Sequence, residues 1–180
     1  VKGLPVLGHC SNPVPFCYVS LDNTIEETLR TAQRLGVRDL IQPRLVSTID
    51  KKGLLEEFHP IVGLVLAKDP ATKLFILDGI PALVKKGRIS DYGEVKDLVR
   101  EIRWYCKEKD VTIMGVGGDA KPNGDSFVPY RQRPAGSHAW GHYCSTIFVI
   151  EREDPQNVLN LRRRFLVEPR NAAPEEHWYE

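Results

Sequence analysis

The stretch that decides the fold is KLFILD, residues Lys73 to Asp78, in which four consecutive apolar residues end in a single acid. Asp69-Pro70-Ala71 precedes it and Gly79-Ile80-Pro81 follows it, so turn-forming residues bound the run on both sides. A short apolar run with such boundaries predicts a strand that is buried on both faces, as in a parallel sheet. Ligands of open α/β sheets bind at the carboxyl ends of such strands, which makes Asp78 a candidate site residue.

Asp78 carries the type of group that can hold a magnesium ion, directly or through water, beside a phosphate. The alternative is an Asp that only forms the turn after its strand, because Asp is common in turns. Two further predicted strands end in the same way, at Leu21-Asp22 and at Gly117-Gly118-Asp119. If two of these strands are neighbours, their acids converge, so that one can hold a metal and the other can orient a water.

Elements before Asp78 follow a strand–helix pattern. Pro15 to Leu21 predicts a buried strand, and Thr24 with Glu27 forms a capping box for the helix that follows. Gly36 is the predicted end of this helix. Val37 to Ile41 predicts a short strand.

The next two helices differ in clarity. Residues 45–68 indicate a helix that Pro60 interrupts, whereas Ser90 and Asp91 open the clearest helix of the chain. In that second helix the apolar residues recur at the spacing of one buried face. They are Val95, Leu98, Val99, Ile102 and Cys106.

The C-terminal part is rich in strand signals. Val111 to Val116 predicts a buried strand, and Ser145 to Glu151, Val158 to Val167 and His177 to Tyr179 predict three more. Arg162 to Arg164 would point to alternating faces of their strand, as at a solvated edge. The alternation of strands and helices, followed by a β-rich tail, predicts a single α/β domain over residues 1–180. We expect a mostly parallel central sheet, with antiparallel strands at its C-terminal edge.

Composition excludes several classes of protein. Lys and Arg number 25 and Asp and Glu 24, so the net charge gives no indication of a nucleic-acid partner. We expect no membrane partner, because no apolar run is long enough to cross a bilayer. The four cysteines are dispersed, which is typical of a reduced, cytoplasmic protein.

Basic residues are concentrated in two loops that could contact phosphates. One loop carries Lys85, Lys86 and Arg88, and a long aperiodic loop ends with Arg131 and Arg133. The planar fork of Arg suits phosphates of a nucleotide or of a nucleic-acid backbone. The alternative is a set of solvated loop cations with no ligand.

Five stretches, taken in order, resemble the RecA-like ATPase core of the RepA-type hexameric helicases and of related ATPases of phage and plasmid replication. The RPAGSHAW stretch is the most specific of them. The stretches are FCYVSLD at Phe16 to Asp22, KLFILD at Lys73 to Asp78, VTIMGVGGDAK at Val111 to Lys121, RPAGSHAW at Arg133 to Trp140, and RRRFLVEPRNAAPEE at Arg162 to Glu176.

The resemblance implies a role for each matching residue. Asp78 would be the Walker B acid that acts on magnesium, and Asp22 stands where the family usually has a glutamate that activates water. Arg133 falls near the arginine that reaches a nucleotide bound by the adjacent protomer, and Gly136 and Ser137 match the small-residue turn after it. The implied cofactors are ATP and Mg²⁺, and the implied partners are single-stranded DNA and sister subunits in a ring. Lys121 matches the segment that faces DNA or the neighbouring subunit. Apart from the resemblance, the loop cations expected to bind DNA are Lys85, Lys86, Arg88 and Arg131, together with Lys121.

The sequence also departs from the family pattern. The phosphate-binding loop GxxxxGK[ST] is absent from the 180 residues. Asp22 is one methylene shorter than the usual glutamate, and Gly117-Gly118 replaces polar residues that would sense the γ-phosphate. One explanation is a fragment whose first strand and phosphate loop lie upstream, and the other is a complete chain that kept the fold without the catalysis. The fragment is the favoured explanation, and in either case we expect this chain to be inactive by itself.

Two alternative functions belong to other classes. A non-catalytic binding module would keep the sheet as a scaffold and use its loop cations on DNA. An assembly domain would only pack against sister subunits and would bind neither nucleotide nor DNA.

Overall fold

The computed structural model describes residues 12–47, 58–84, 90–118, 137, 139–152 and 159–179. These residues form an α/β structure with two separate sheets. The strands are β1 (Phe16–Ser20), β2 (Leu45–Ser47), β3 (Leu74–Asp78), β4 (Thr112–Val116), β5 (Thr146–Arg152), β6 (Arg163–Pro169) and β7 (Glu175–Tyr179). The helices are α1 (Ile25–Arg34), α2 (Arg38–Ile41), α3 (Phe58–Lys68), α4 (Tyr92–Lys109) and α5 (Ala139–Tyr143), with short 3₁₀ turns at Gln42–Arg44 and Ile80–Leu83.

The first sheet has four parallel strands in the order β2-β1-β3-β4. The chain leaves β1 to form β2 on one side and returns to form β3 on the other side, so β1 and β3 are neighbours. Their register pairs Ser20 with Asp78. The strand order therefore reverses between β1 and β3, which is the point where open α/β sheets bind their ligands.

Helices α3 and α4 cover one face of this sheet. Cys17 and Val19 of β1 and Phe75 and Leu77 of β3 are buried in one apolar cluster. The helices contribute four further buried members, since each presents an apolar face to the sheet. These members are Ile61 and Val62 from α3 and Ile102 and Tyr105 from α4. The predicted burial of the KLFILD strand is therefore confirmed for one face only, because Leu74 and Ile76 on the other face are half-buried.

Strand β4 is less buried than the sequence predicts. It lies where expected, but Met114 and Val116 are each 38% exposed. The reason is its position, because within the described residues β4 pairs only with β3 and forms an edge of the sheet. An unbroken apolar run cannot distinguish an edge strand from a central one.

The region around Gly36 confirms one prediction and corrects another. The Thr24–Glu27 capping box begins α1, and Gly36 follows its end with a φ of 69°. The predicted strand at Val37–Ile41 is wrong, because the amides of Leu40 and Ile41 donate to the Val37 carbonyl and form α2. Val37 and Ile41 favour a strand as β-branched residues, but the local helical hydrogen bonds decide the conformation here. The strand lies further along the chain, as β2.

Both longer helices lie where the sequence predicts a helix. Pro60 does not interrupt α3, because the described helix Phe58–Lys68 runs through this residue. The apolar residues at 54 and 55 lie outside the described residues. The predicted helix after Ser90 is confirmed as α4, and the Asp91 side chain accepts a hydrogen bond from the Glu94 amide.

The second sheet contains three antiparallel strands in the order β5-β6-β7. Antiparallel strands were predicted here, but they form a sheet of their own instead of extending the parallel sheet. Strand β6 spans Arg163–Pro169, so the predicted strand at Val158–Val167 begins too early. Leu159 and Leu161, which drew that prediction, are 86% and 70% exposed.

Candidate functional site

Two acids follow the two strands at the point where the strand order reverses. Asp78 is the last residue of β3, and Asp22 lies two residues beyond the end of β1. The Leu21 amide donates to the Asp78 carbonyl at 2.9 Å, which fixes the two chain segments side by side. The structure therefore brings together the two acids that the sequence analysis named.

The Tyr18 hydroxyl connects β1 to the Asp78 side chain. It donates a hydrogen bond of 2.6 Å to Asp78 Oδ2. Burial raises the pKa of Tyr18 above its usual value, and the hydrogen bond to Asp78 and the negative charges of Asp78 and Asp22 raise it further. Both carboxylates consequently act on one neutral hydroxyl, and Tyr18 fixes the orientation of one of them.

Gly79 gives the Asp22 carboxylate room beside the backbone. Its φ is 84°, in the left-handed region that favours glycine. A Cβ atom at Gly79 would lie 2.7 Å from Asp22 Cγ, so a larger residue here would displace the Asp22 carboxylate. The carboxylate of Asp22 thus packs against the residue that directly follows Asp78. The sequence analysis named Gly79 only as a turn residue.

Asn23 holds Asp22 in place through a polar network at the ends of β1 and β2. Its side-chain amide donates to Asp22 Oδ1 at 2.7 Å. Its backbone amide donates to Ser20 Oγ at 3.2 Å, and its carbonyl accepts from Ser47 Oγ at 2.8 Å. Ser20 and Ser47 are fully buried. Sequence reasoning missed both serines, although a Ser at the end of each strand was a visible signal.

The arrangement fits a hard divalent cation that keeps several water ligands. Asp22 is exposed and Asp78 is half-buried, so solvent reaches one carboxylate fully and the other in part. Mg²⁺ in proteins is commonly held by one or two carboxylates together with water and substrate phosphates. The described residues contain no group of three or more His, Cys, Asp or Glu side chains that could hold a metal. The two acids therefore suit Mg²⁺ better than zinc, which prefers four protein ligands in structural sites.

The remaining predicted site residues divide into two groups. Ser137 is buried, and its Oγ accepts from the Ala139 amide at 3.2 Å at the start of α5. Gly117 directly follows β4 and lies beside Pro81. The other predicted residues lie outside the described part of the chain, and they are Lys85, Lys86, Arg88, Lys121, Arg131, Arg133 and Gly136, together with Asp119.

Comparison with known proteins adds no relative. No protein-family model matches this chain, and no curated protein matches it. None of the helices in the described ranges is long and apolar enough to span a membrane.

Proposed function

We propose that this chain is the RecA-like core of a Mg²⁺-dependent ATPase that acts on single-stranded DNA. The observation that supports the proposal best is the placement of Asp22 and Asp78 at the point of strand-order reversal. Phosphoryl transfer needs few covalent steps from the protein, and positioned acids and metal supply most of the catalysis. The order of motifs along the chain supports the same proposal.

The two acids would have separate roles. Asp78 is held by Tyr18 at one carboxylate oxygen, which leaves its other oxygen to bind Mg²⁺ or a water of the Mg²⁺ shell. Asp22 is held by Asn23 and remains exposed, which suits a group that orients the attacking water. Mg²⁺ would neutralise charge on the phosphates of ATP.

Phosphate binding requires groups beyond this pair. Backbone amides and a lysine of a GxxxxGK[ST] loop normally hold the phosphates, and no such motif occurs among the 180 residues. We therefore propose that turnover needs a loop supplied from outside these residues, and that Arg133 acts across a subunit interface in a ring. The chain alone would bind the metal but would not turn over ATP.

Calorimetric titration of Mg²⁺ into the chain tests the metal site. We expect Asp78→Asn to weaken Mg²⁺ binding about tenfold or more and Tyr18→Phe to weaken it a few-fold, because both alter the same carboxylate. The matched control is Asp97→Asn, which removes one exposed carboxylate from α4 and should leave binding unchanged. Equal Mg²⁺ affinity of the Asp78→Asn variant and the wild type would overturn the assignment.

A second titration tests the role of the nucleotide. Adding ATP to the chain without an external phosphate loop should give weak binding and no hydrolysis. Restoring such a loop in a longer protein should give turnover that Asp78→Asn abolishes. Tight ATP binding by the chain alone would contradict the argument from the absent motif.

A further inference from the structure

An open cleft is lined by residues that are not part of the candidate site. Its volume is about 530 Å³, and it is lined by Arg103 of α4 and by Ser145 and the segment 169–172. Arg170 and Asn171 are exposed within that segment, and the Arg170 amide donates to the Ser145 carbonyl at 2.8 Å. The cleft thus presents two guanidinium groups, a hydroxyl and a side-chain amide, and no acid is among the lining residues that belong to the described part of the chain.

Helix α4 extends this positive surface. Four of its five cations occur at positions 96, 100, 103 and 107, and this spacing places them within about 60° of one another around the helix, whereas Lys109 lies on another face. Lys96 is half-buried, and Arg100, Arg103 and Lys107 are exposed. The buried face of the helix lies elsewhere, at Val95, Val99, Ile102 and Tyr105. The four cations therefore form a continuous stripe on the surface of α4.

Acids of the described residues do not neutralise these cations. Arg103 donates only to the Tyr143 carbonyl, at 3.4 Å, and none of the stripe cations nor Arg170 has an ion-pair partner within the described ranges. Two acids of α4 are already engaged, since Glu101 contacts His59 and Glu108 contacts Lys109. Unpaired arginines around a cleft are well suited to phosphate, because the guanidinium fork matches its oxygens.

We propose that the cleft between Arg103 and Arg170 binds a phosphate group, and that the α4 stripe carries the neighbouring phosphates of a nucleic-acid single strand. A single phosphate would need only the cleft, whereas the aligned cations on α4 suit a ligand with regularly repeated charge. The inference extends the proposed function, because a single strand is the partner proposed there. It uses none of the loop cations that the sequence analysis assigned to DNA.

Fluorescence anisotropy with a labelled oligothymidine strand tests this surface. We expect Arg103→Gln/Arg170→Gln to weaken binding about tenfold. Two lost phosphate contacts should lower the slope of log affinity against log salt by about 1.4. The matched control is Arg34→Gln/Lys68→Gln, which removes two exposed cations from other helices and should change affinity far less. Replacing both arginines by Lys should retain most of the affinity because both charges remain, and unchanged Mg²⁺ binding by the Gln variant would show that this variant is folded.

Competition with inorganic phosphate identifies the source of the phosphate group. In one outcome, millimolar phosphate binds the cleft, and the two arginine substitutions remove phosphate binding and leave the oligothymidine affinity unchanged. That result would overturn the assignment of the cleft to a nucleic-acid single strand. If the arginine and control variants lose equal affinity, the surface is only nonspecifically basic and the whole inference is overturned. The arginine substitutions should leave Mg²⁺ binding intact. If the wild-type chain binds the single strand but not Mg²⁺, the ATPase proposal is overturned and the proposed strand-binding surface is not.

Discussion

The two sheets of this chain are stabilised in different ways. In the parallel sheet, Phe75 and Leu77 are completely buried beneath α3 and α4. In the antiparallel sheet, Phe148 and Ile150 are 48% and 66% exposed, and Leu166 is the buried apolar residue of β6. The parallel sheet thus depends on apolar burial, and its polar side chains gather where the strands end.

Charged side chains make more of the contacts between strands in the antiparallel sheet. Arg164 of β6 forms an ion pair with Glu151 of β5 and lies 3.9 Å from a carboxylate oxygen of Glu176 on β7. The guanidinium of Arg162 lies 4.9 Å from the ring centre of Trp178. The comparison teaches that consecutive arginines on a strand can serve its own cross-strand contacts, so their number alone does not indicate a ligand site.

The largest expected effect on stability comes from removing a phenylalanine ring from the parallel sheet, in comparison with the antiparallel sheet. Phe75→Ala should lower the free energy of unfolding by about 3–5 kcal/mol, because it leaves a cavity in a packed core. Phe148→Ala removes a ring that stacks on Phe165 but is half exposed, so we expect a loss of about 1 kcal/mol or less. Urea unfolding of both variants measures the difference. Equal losses would show that the two sheets are not stabilised differently.

A smaller effect is expected from the ion pair between β5 and β6. The side chains of Arg164 and Glu151 are 29% and 18% exposed, so Arg164→Met should cost about 1–2 kcal/mol by removing the guanidinium from a largely buried carboxylate. The double variant Arg164→Met/Glu151→Leu should regain most of that loss. The exposed Arg30–Glu26 pair of α1 is the control, and Arg30→Met should cost about 0.5 kcal/mol or less. A double variant as unstable as the single one would contradict this account.

The smallest effect at neutral pH comes from Cys17, which becomes important only in alkali. Burial raises the pKa of the Cys17 thiol from 9.0 to about 11. A raised pKa stabilises the fold fully below pH 9, and this contribution is lost as the pH rises toward 11. One proton corresponds to a slope of about 1.4 kcal/mol per pH unit in that window.

Urea unfolding between pH 7.5 and 10.5 in reducing buffer measures this dependence. Cys17→Ala should be moderately less stable at neutral pH but should lose less stability with rising pH than the wild type does. An identical fall in both proteins would assign the alkaline sensitivity to other groups, such as Tyr18 or Cys106, whose pKa values are also raised by burial.

The sequence predicted the elements whose signals are local. The apolar runs of β1 and β3, the Thr24 cap and the amphipathic pattern of α4 each identify an element without its neighbours. The same reasoning failed at Val37–Ile41, where local hydrogen bonds decide the conformation. It also failed for the burial of β4, which depends on what lies beside that strand.

The candidate site was predictable only in part, because its contacts depend on strand register. Asp22 and Asp78 could be named as strand-end acids, and their convergence followed once β1 and β3 were neighbours. The Tyr18–Asp78 hydrogen bond joins residues 60 positions apart, and the apolar runs do not specify the register that forms it. Equally, the cleft between Arg103 and Arg170 forms only when α4 and the end of β6 approach each other.

The most direct test of the central claim is a titration of the chain with Mn²⁺, a paramagnetic substitute for Mg²⁺, observed through backbone amide NMR signals. Bound Mn²⁺ broadens the signals of amides near it. We expect Asn23 and Gly79 to broaden first and Leu166 of the antiparallel sheet to remain sharp, and Asp78→Asn should abolish the difference. Uniform broadening of both sheets, or broadening that persists in Asp78→Asn, would contradict a metal site at the two acids.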